Sequence, residues 1–101
     1  MTIVEHAHRT DAVRTVTGWH IELEFREIGS ETRAVALLRL PDGTELRARG
    51  HADRHPDDPE QPRVGEEVAA ARLLGDLSAQ LRHKAEHEIE EATRIPARVH
   101  P

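Results

Sequence analysis

The sequence predicts an α+β fold in which a three-stranded antiparallel meander is followed by one long C-terminal helix packed on one of its faces. Three observations predict it. Residues 19–28 alternate strictly between apolar and polar; a Pro-Asp-Gly turn at 41–43 separates two further alternating runs; and apolar residues recur every three or four positions from Val64 until just before Pro96. Period two marks a strand with one buried face, and a mixed three-and-four spacing marks one stripe of a helix.

The first strand opens at Trp19. Trp19, Ile21, Leu23 and Phe25 fall on one face, and His20, Glu22, Glu24 and Arg26 fall on the other. This is a half-buried strand, closed by the turn pair Gly29-Ser30. The second strand, 31–40, sets Ala34, Ala36, Leu38 and Leu40 toward the core and leaves Val35 and Leu37 outside, flanked by Arg33 and Arg39. After Pro41-Asp42-Gly43 the third strand, 44–54, alternates the small residues Ala48, Gly50 and Ala52 with Arg47, Arg49 and His51. Its small inner face predicts close approach of a helix. Residues 55–63 hold three prolines and read as a stiff crossover loop. A helix over 66–94 would be about 43 Å long. Glu66 and Glu67 stand in its expected first turn, where the helix dipole favours acids, and Gly75 is a candidate kink.

The chain has 101 residues, no cysteine and a net charge of −5. That length holds one domain, expected over 18–101, and residues 1–17 lack any period and are expected to form a flexible N-terminal tail. Without cysteine there are no disulfides and no thiolate chemistry. No apolar run is long enough for a membrane span, and no signal peptide is visible, so the expected location is cytoplasmic with no membrane partner. None of the segments 1–17, 18–62 and 63–101 has the net positive charge on which nonspecific nucleic-acid binding leans.

Geometry argues for a second copy of the chain. A three-stranded sheet is roughly 10–15 Å wide and a ten-residue strand about 33 Å long, so a helix of about 43 Å overhangs it. Leu81 and Ile89 lie on the overhanging stripe, and Val35 and Leu37 lie on the outer sheet face. The N-terminal tail, a fold-back of the helix at Gly75 and a second copy are three ways to cover the overhang, and a homodimer with these four residues in its interface is the expected one.

The pieces Trp19-His20-Ile21, Thr32-Arg33-Ala34, Gly50-His51-Ala52, Pro56-Asp57-Asp58 and Gly65-Glu66-Glu67-Val68-Ala69-Ala70-Ala71-Arg72-Leu73-Leu74, in this order and spacing, carry a resemblance. Over 19–99 the chain resembles a family of small uncharacterised actinobacterial proteins with a double-stranded-RNA-binding-domain-like (dsRBD-like) fold, similar in shape to ribosome-hibernation factors. The resemblance implies a dimer and a role in stress or dormancy. RNA-binding members of that fold carry lysines at the helix start, where this chain has Glu66 and Glu67.

Three functions follow in order of weight. The first is a non-enzymatic dimeric protein acting in stress or dormancy on the ribosome. The second is a nucleic-acid-binding module that uses the sheet arginines Arg33, Arg39, Arg47 and Arg49, which also supply the ribosome contact in the first reading. The third, given least weight, is a metal-dependent hydrolase built on His83, Glu86 and His87, which match the inverted zinc-protease pattern H-x-x-E-H. Eight histidines in so short a chain make that spacing easy to meet by chance. No Gly-rich phosphate loop and no nucleophile elbow occurs, so no catalytic residue, cofactor, metal or small-molecule substrate is assigned.

Overall fold

The computed structural model describes residues 16–55, 57 and 61–101. The elements are β1 (His20–Ile28), β2 (Glu31–Arg39), β3 (Glu45–Asp53) and α1 (Pro62–Thr93). The strands form one antiparallel sheet in the order β1-β2-β3, in continuous register without a bulge. The expected meander and C-terminal helix are therefore present. Of the expected N-terminal tail only Val16 and Thr17 are described, and both are exposed without regular structure; residues 1–15 lie outside the described set.

The turns follow their chemistry. Gly43 has φ of +91°, a conformation that suits glycine. Its N–H bonds back to the carbonyl of Leu40, while Asp42 accepts the N–H of Thr44 at 2.9 Å. The Leu40 N–H donates to the Thr44 carbonyl at 2.9 Å, and the Asx contact adds to these backbone bonds in pinning the reversal.

The helix starts four residues earlier than its periodicity suggests. Pro62 belongs to its first turn, where a missing N–H costs nothing and the fixed φ is already helical. The Gln61 carbonyl accepts the N–H groups of Val64 and Gly65. Glu66 and Glu67 consequently lie in the second turn, not the first as the sequence suggested. The helix also runs through Gly75 as one element.

The core is thin and built of small side chains. Ala34, Ala36 and Leu38 of β2, Ala48 and Ala52 of β3, and Ala69, Leu73 and Leu77 of α1 are all buried. The helix axis lies over β3 and β2. Gly50 makes that approach possible, because a Cβ there would stand 2.3 Å from the Ala69 carbonyl oxygen and 2.4 Å from the Leu73 nitrogen.

One expectation is corrected by this placement. Trp19, Ile21, Leu23 and Phe25 do lie on the helix side, in register with Leu38, Ala36 and Ala34. One helix about 10 Å across seated over β3 and β2 leaves only Phe25 of them packed against the core, and Trp19, Ile21 and Leu23 remain 57%, 43% and 37% exposed. The end of the helix, in turn, is met by the chain's own C-terminal segment. Arg94 adopts the left-handed conformation that ends the helix, and the chain turns back along it. The N–H of Ala97 donates to Glu90 at 3.0 Å and that of Val99 to Glu86 at 2.9 Å. The C-terminal segment therefore lies along the Glu86 and Glu90 side of the helix end, and Ile89 on the apolar stripe stays 41% exposed.

Candidate functional site

The two edges of the sheet are treated in opposite ways. On β3, a helix row one step beside Ala69, Leu73 and Leu77 closes the open edge. Arg72 donates to the His51 carbonyl at 2.9 Å, the N–H of Arg49 donates to Asp76 at 3.3 Å, and Gln80 donates to the Arg47 carbonyl at 2.7 Å. Spacing i, i+4, i+8 keeps the three side chains on one line, and that line runs beside the alternate outward groups of the strand. An edge paired in this way cannot template another strand.

On β1 nothing equivalent exists among the described residues. The strand has nine residues, without proline or bulge. Which backbone groups point outward follows from the ladder. Arg47, Arg49 and His51 face away from β2, so Leu37, Val35 and Arg33 opposite them bond toward β1. Their β1 partners Glu22, Glu24 and Arg26 then bond inward. Strict alternation leaves the N–H and C=O groups of Ile21, Leu23, Phe25 and Glu27 on the open edge. The free backbone edge and the bare apolar row thus belong to the same residues. Leu74, 50% exposed on the helix, adds apolar surface nearby.

The sheet face away from the helix carries segregated charge. In successive rows Glu22, Leu37 and Arg47 stand abreast, as do Glu24, Val35 and Arg49. Acids lie on β1, bases on β3, and the two apolar residues lie between them. Arg33 pairs with Glu31 at 3.0 Å, and Glu45 takes both Arg39 at 3.1 Å and Arg47 at 3.6 Å. Three of the four sheet arginines are thus partly neutralised, and among the described residues the Arg49 guanidinium is in no ion pair, its backbone N–H alone meeting Asp76. Such exposed pairs contribute little stability. The residues expected at a dimer interface do not meet on one surface. Val35 and Leu37 stand on this outer face, whereas Leu81 packs against the core from the helix and Ile89 is 41% exposed farther along it.

Lys84, the sole lysine, ties the helix to the β2–β3 turn. Its ammonium donates to Asp42 at 2.8 Å and also to Glu88 one turn on. The Lys84 hydrogen bond, followed by that from the Thr44 N–H, holds the Asp42 carboxyl far below the usual carboxylate range. The bonds to Asp42 and Glu88 raise Lys84 above its ordinary value.

The histidine motif stays dispersed. His83 and His87 are exposed, His87 lies 3.9 Å from Glu91, and Glu86 is engaged with the backbone of Val99. Among the described residues no group of three or more acidic or histidine side chains is placed to hold a metal. A cavity of about 430 Å³ opens between the β1–β2 turn and the start of α1, lined among others by Ser30, Thr32, Asp53 and Arg72. No histidine lines it beside the Ser30 and Thr32 hydroxyls. None of the described helices is long and apolar enough to cross a membrane.

A meander with one helix, one closed edge and one open edge describes a small protein whose distinctive surface is a strand, not a cleft. The chain belongs to the Rv2632c-like family, whose model matches residues 17–98. It is 36% identical over 81 residues to the uncharacterised protein Mb1767 of Mycobacterium bovis and to the uncharacterised protein MT1780 of Mycobacterium tuberculosis. Each match covers 80% of this chain and 85% of the relative. The crystal structure of Rv2632c superimposes with a TM-score of 0.74 at 31% identity, covering 82% of this chain and 98% of that one. The expected kinship with uncharacterised actinobacterial proteins is therefore established.

Proposed function

We propose that this chain is a non-enzymatic interaction protein that works as a homodimer. The observation that supports it is the uncovered row Trp19, Ile21 and Leu23, set on an open sheet edge. Contiguous apolar surface of this kind marks a binding face, and a monomer has strong physical reason to cover an unblunted edge. Among the described residues the dispersal of His83, Glu86 and His87 gives the hydrolase reading no metal-holding group. Sedimentation equilibrium of the full chain tests the homodimer: it gives a mass near twice 11.4 kDa, and a monomer across the micromolar range refutes it.

The target we attach to this dimer is the ribosome under stress or dormancy, on the strength of the dsRBD-like and hibernation-factor likeness read in the sequence. The arginines Arg47 and Arg49, side by side on β3, supply the contact for an RNA backbone. Co-sedimentation with ribosomes at low and moderate salt is the test, and failure to co-migrate at either removes the ribosome. A general nucleic-acid-binding reading draws on the same arginines. It expects a gel shift with mixed RNA that Arg47→Ala with Arg49→Ala abolishes.

A further inference from the structure

We propose that β1 pairs with β1 of a second copy, antiparallel, with the two-fold axis passing through Glu22, so that two three-stranded sheets become one six-stranded sheet. The inference rests on the homodimer reading and specifies its surface and register.

The side chains select the register. For two copies to keep their helices on the same side of a continuous sheet, the paired residues must share a face, so the axis passes through a residue and not between two. With the axis at Glu22, Trp19 stands opposite Phe25 of the second copy and Ile21 opposite Leu23, and each pairing occurs twice. None of the four apolar residues is left against a polar one. An axis at Leu23 sets Trp19 against Glu27 and brings Glu22 against Glu24 twice. An axis at Glu24 sets Ile21 against Glu27 and leaves only the Leu23–Phe25 pairs apolar. An axis at Ile21 leaves Phe25 facing Thr17. Aromatic and aliphatic neighbours directly opposite each other are the favoured cross-strand pairs.

The backbone agrees with this choice. The outward N–H and C=O groups belong to Ile21, Leu23 and Phe25. With the axis at Glu22, Ile21 and Leu23 become a hydrogen-bonded pair that exchanges two bonds with the second copy, and it does so twice across the axis. On the opposite face His20 lies across from Glu24, again twice, which offsets the meeting of the two Glu22 carboxylates in solvent. The open edge of β1 is thereby closed by pairing, as that of β3 is by Arg72, Asp76 and Gln80.

The chain has no cysteine, which makes single-cysteine crosslinking a direct test on the full-length protein. Glu22 is exposed, so Glu22→Cys leaves the core untouched. On the axis, residue 22 faces its own copy in a non-hydrogen-bonded pair with Cα atoms about 4.5 Å apart, within the range a disulfide bridges. Residue 24 is displaced from its own copy by four residues along the strand, about 13 Å, beyond that range. The expected result is that mild oxidation converts Glu22→Cys almost wholly to covalent dimer while Glu24→Cys stays uncrosslinked. Leu23→Arg, which buries a charge in the new seam without entering the core, yields a folded monomer by sedimentation. A wild-type monomer at every concentration overturns both the homodimer reading and this inference. A dimer that survives Leu23→Arg keeps the homodimer and overturns β1 pairing, moving the interface to the outer face around Val35 and Leu37, and one that crosslinks through residue 24 and not 22 overturns this register in favour of an axis at Glu24.

Discussion

Replacing Gly50 by alanine tests the helix-on-sheet contact on which everything else stands. An alanine Cβ at this position would fall 2.3 Å from the carbonyl oxygen of Ala69, 2.4 Å from the nitrogen of Leu73 and 3.0 Å from its Cα. All three are backbone atoms of α1, so no side-chain rotation relieves the overlap. The helix must lift by about 1 Å to restore ordinary contact distances, and in doing so it loosens Leu73 and Ala69, both fully buried. Overpacking costs about 1–3 kcal/mol and sometimes more. Rigid backbone on both sides puts this site at the upper end, about 3 kcal/mol. For a domain of this length, about 4–8 °C per kcal/mol gives a fall in Tm of roughly 12–24 °C. Thermal unfolding followed by circular dichroism at one protein concentration reads it. Elsewhere a strand glycine changed to alanine gains a few tenths of a kcal/mol to about 1 kcal/mol from the unfolded state. A Tm unchanged or raised in Gly50→Ala would mean that the helix does not sit where the structure places it.

Other predictions follow the same geometry. Leu73→Ala, at the fully buried centre of the core, costs about 2–5 kcal/mol in urea unfolding, whereas Leu74→Ala, half exposed, costs under about 1 kcal/mol; similar losses at the two positions would contradict the helix rotation. Asp42→Asn lowers Tm at pH 7 by removing the tie to Lys84. Because the folded Asp42 carboxyl titrates below its ordinary value of 3.8, the stabilisation is complete above that value and disappears as pH falls beneath it. On the alkaline side, the raised Lys84 retains it beyond 10.5. The Tm gap between wild type and Asp42→Asn should therefore narrow at pH 2–3, and a gap independent of pH would refute the tie. Gln80→Leu removes the donor to the Arg47 carbonyl; at an exposed site the loss is about 0.5–1.5 kcal/mol, and faster exchange confined to the β3 edge is the accompanying signature.

Much of the fold was legible because its signals are local. Alternation placed all three strands to within a residue of their observed ends, and Pro41-Asp42-Gly43 located the reversal. The run Ala48, Gly50, Ala52 announced the helix approach that the Cβ distances at Gly50 make concrete. What misled was width. An apolar row on β1 says that something covers it, but not whether one helix reaches across three strands. The answer depends on Arg72, Asp76 and Gln80, which draw the helix toward β3. Their i, i+4, i+8 spacing is visible in the sequence, but the row reads as ordinary solvated helix until the strand beneath it is known. The early helix start was hidden by Pro62, which looks like a loop residue yet belongs in a first turn. The return of the chain after Arg94 carried no periodic signal, so the contacts of Ala97 and Val99 with Glu90 and Glu86 were not foreseen. The exposed apolar row that the sequence reading did not foresee is Trp19, Ile21 and Leu23.

The central claim is that the outward amides of β1 are unbonded within one chain and become bonded when two chains meet. Residue-resolved amide exchange on the full chain tests it. Within a single copy the amides of Glu22, Glu24 and Arg26 bond to β2 and should be protected at any concentration. The amides of Ile21, Leu23 and Phe25 should be protected at high concentration and exchange freely on dilution or in Leu23→Arg. Exchange of these three that is rapid at every concentration would contradict the pairing of β1, and protection that persists in a dilute monomer would show that the chain covers this edge by itself.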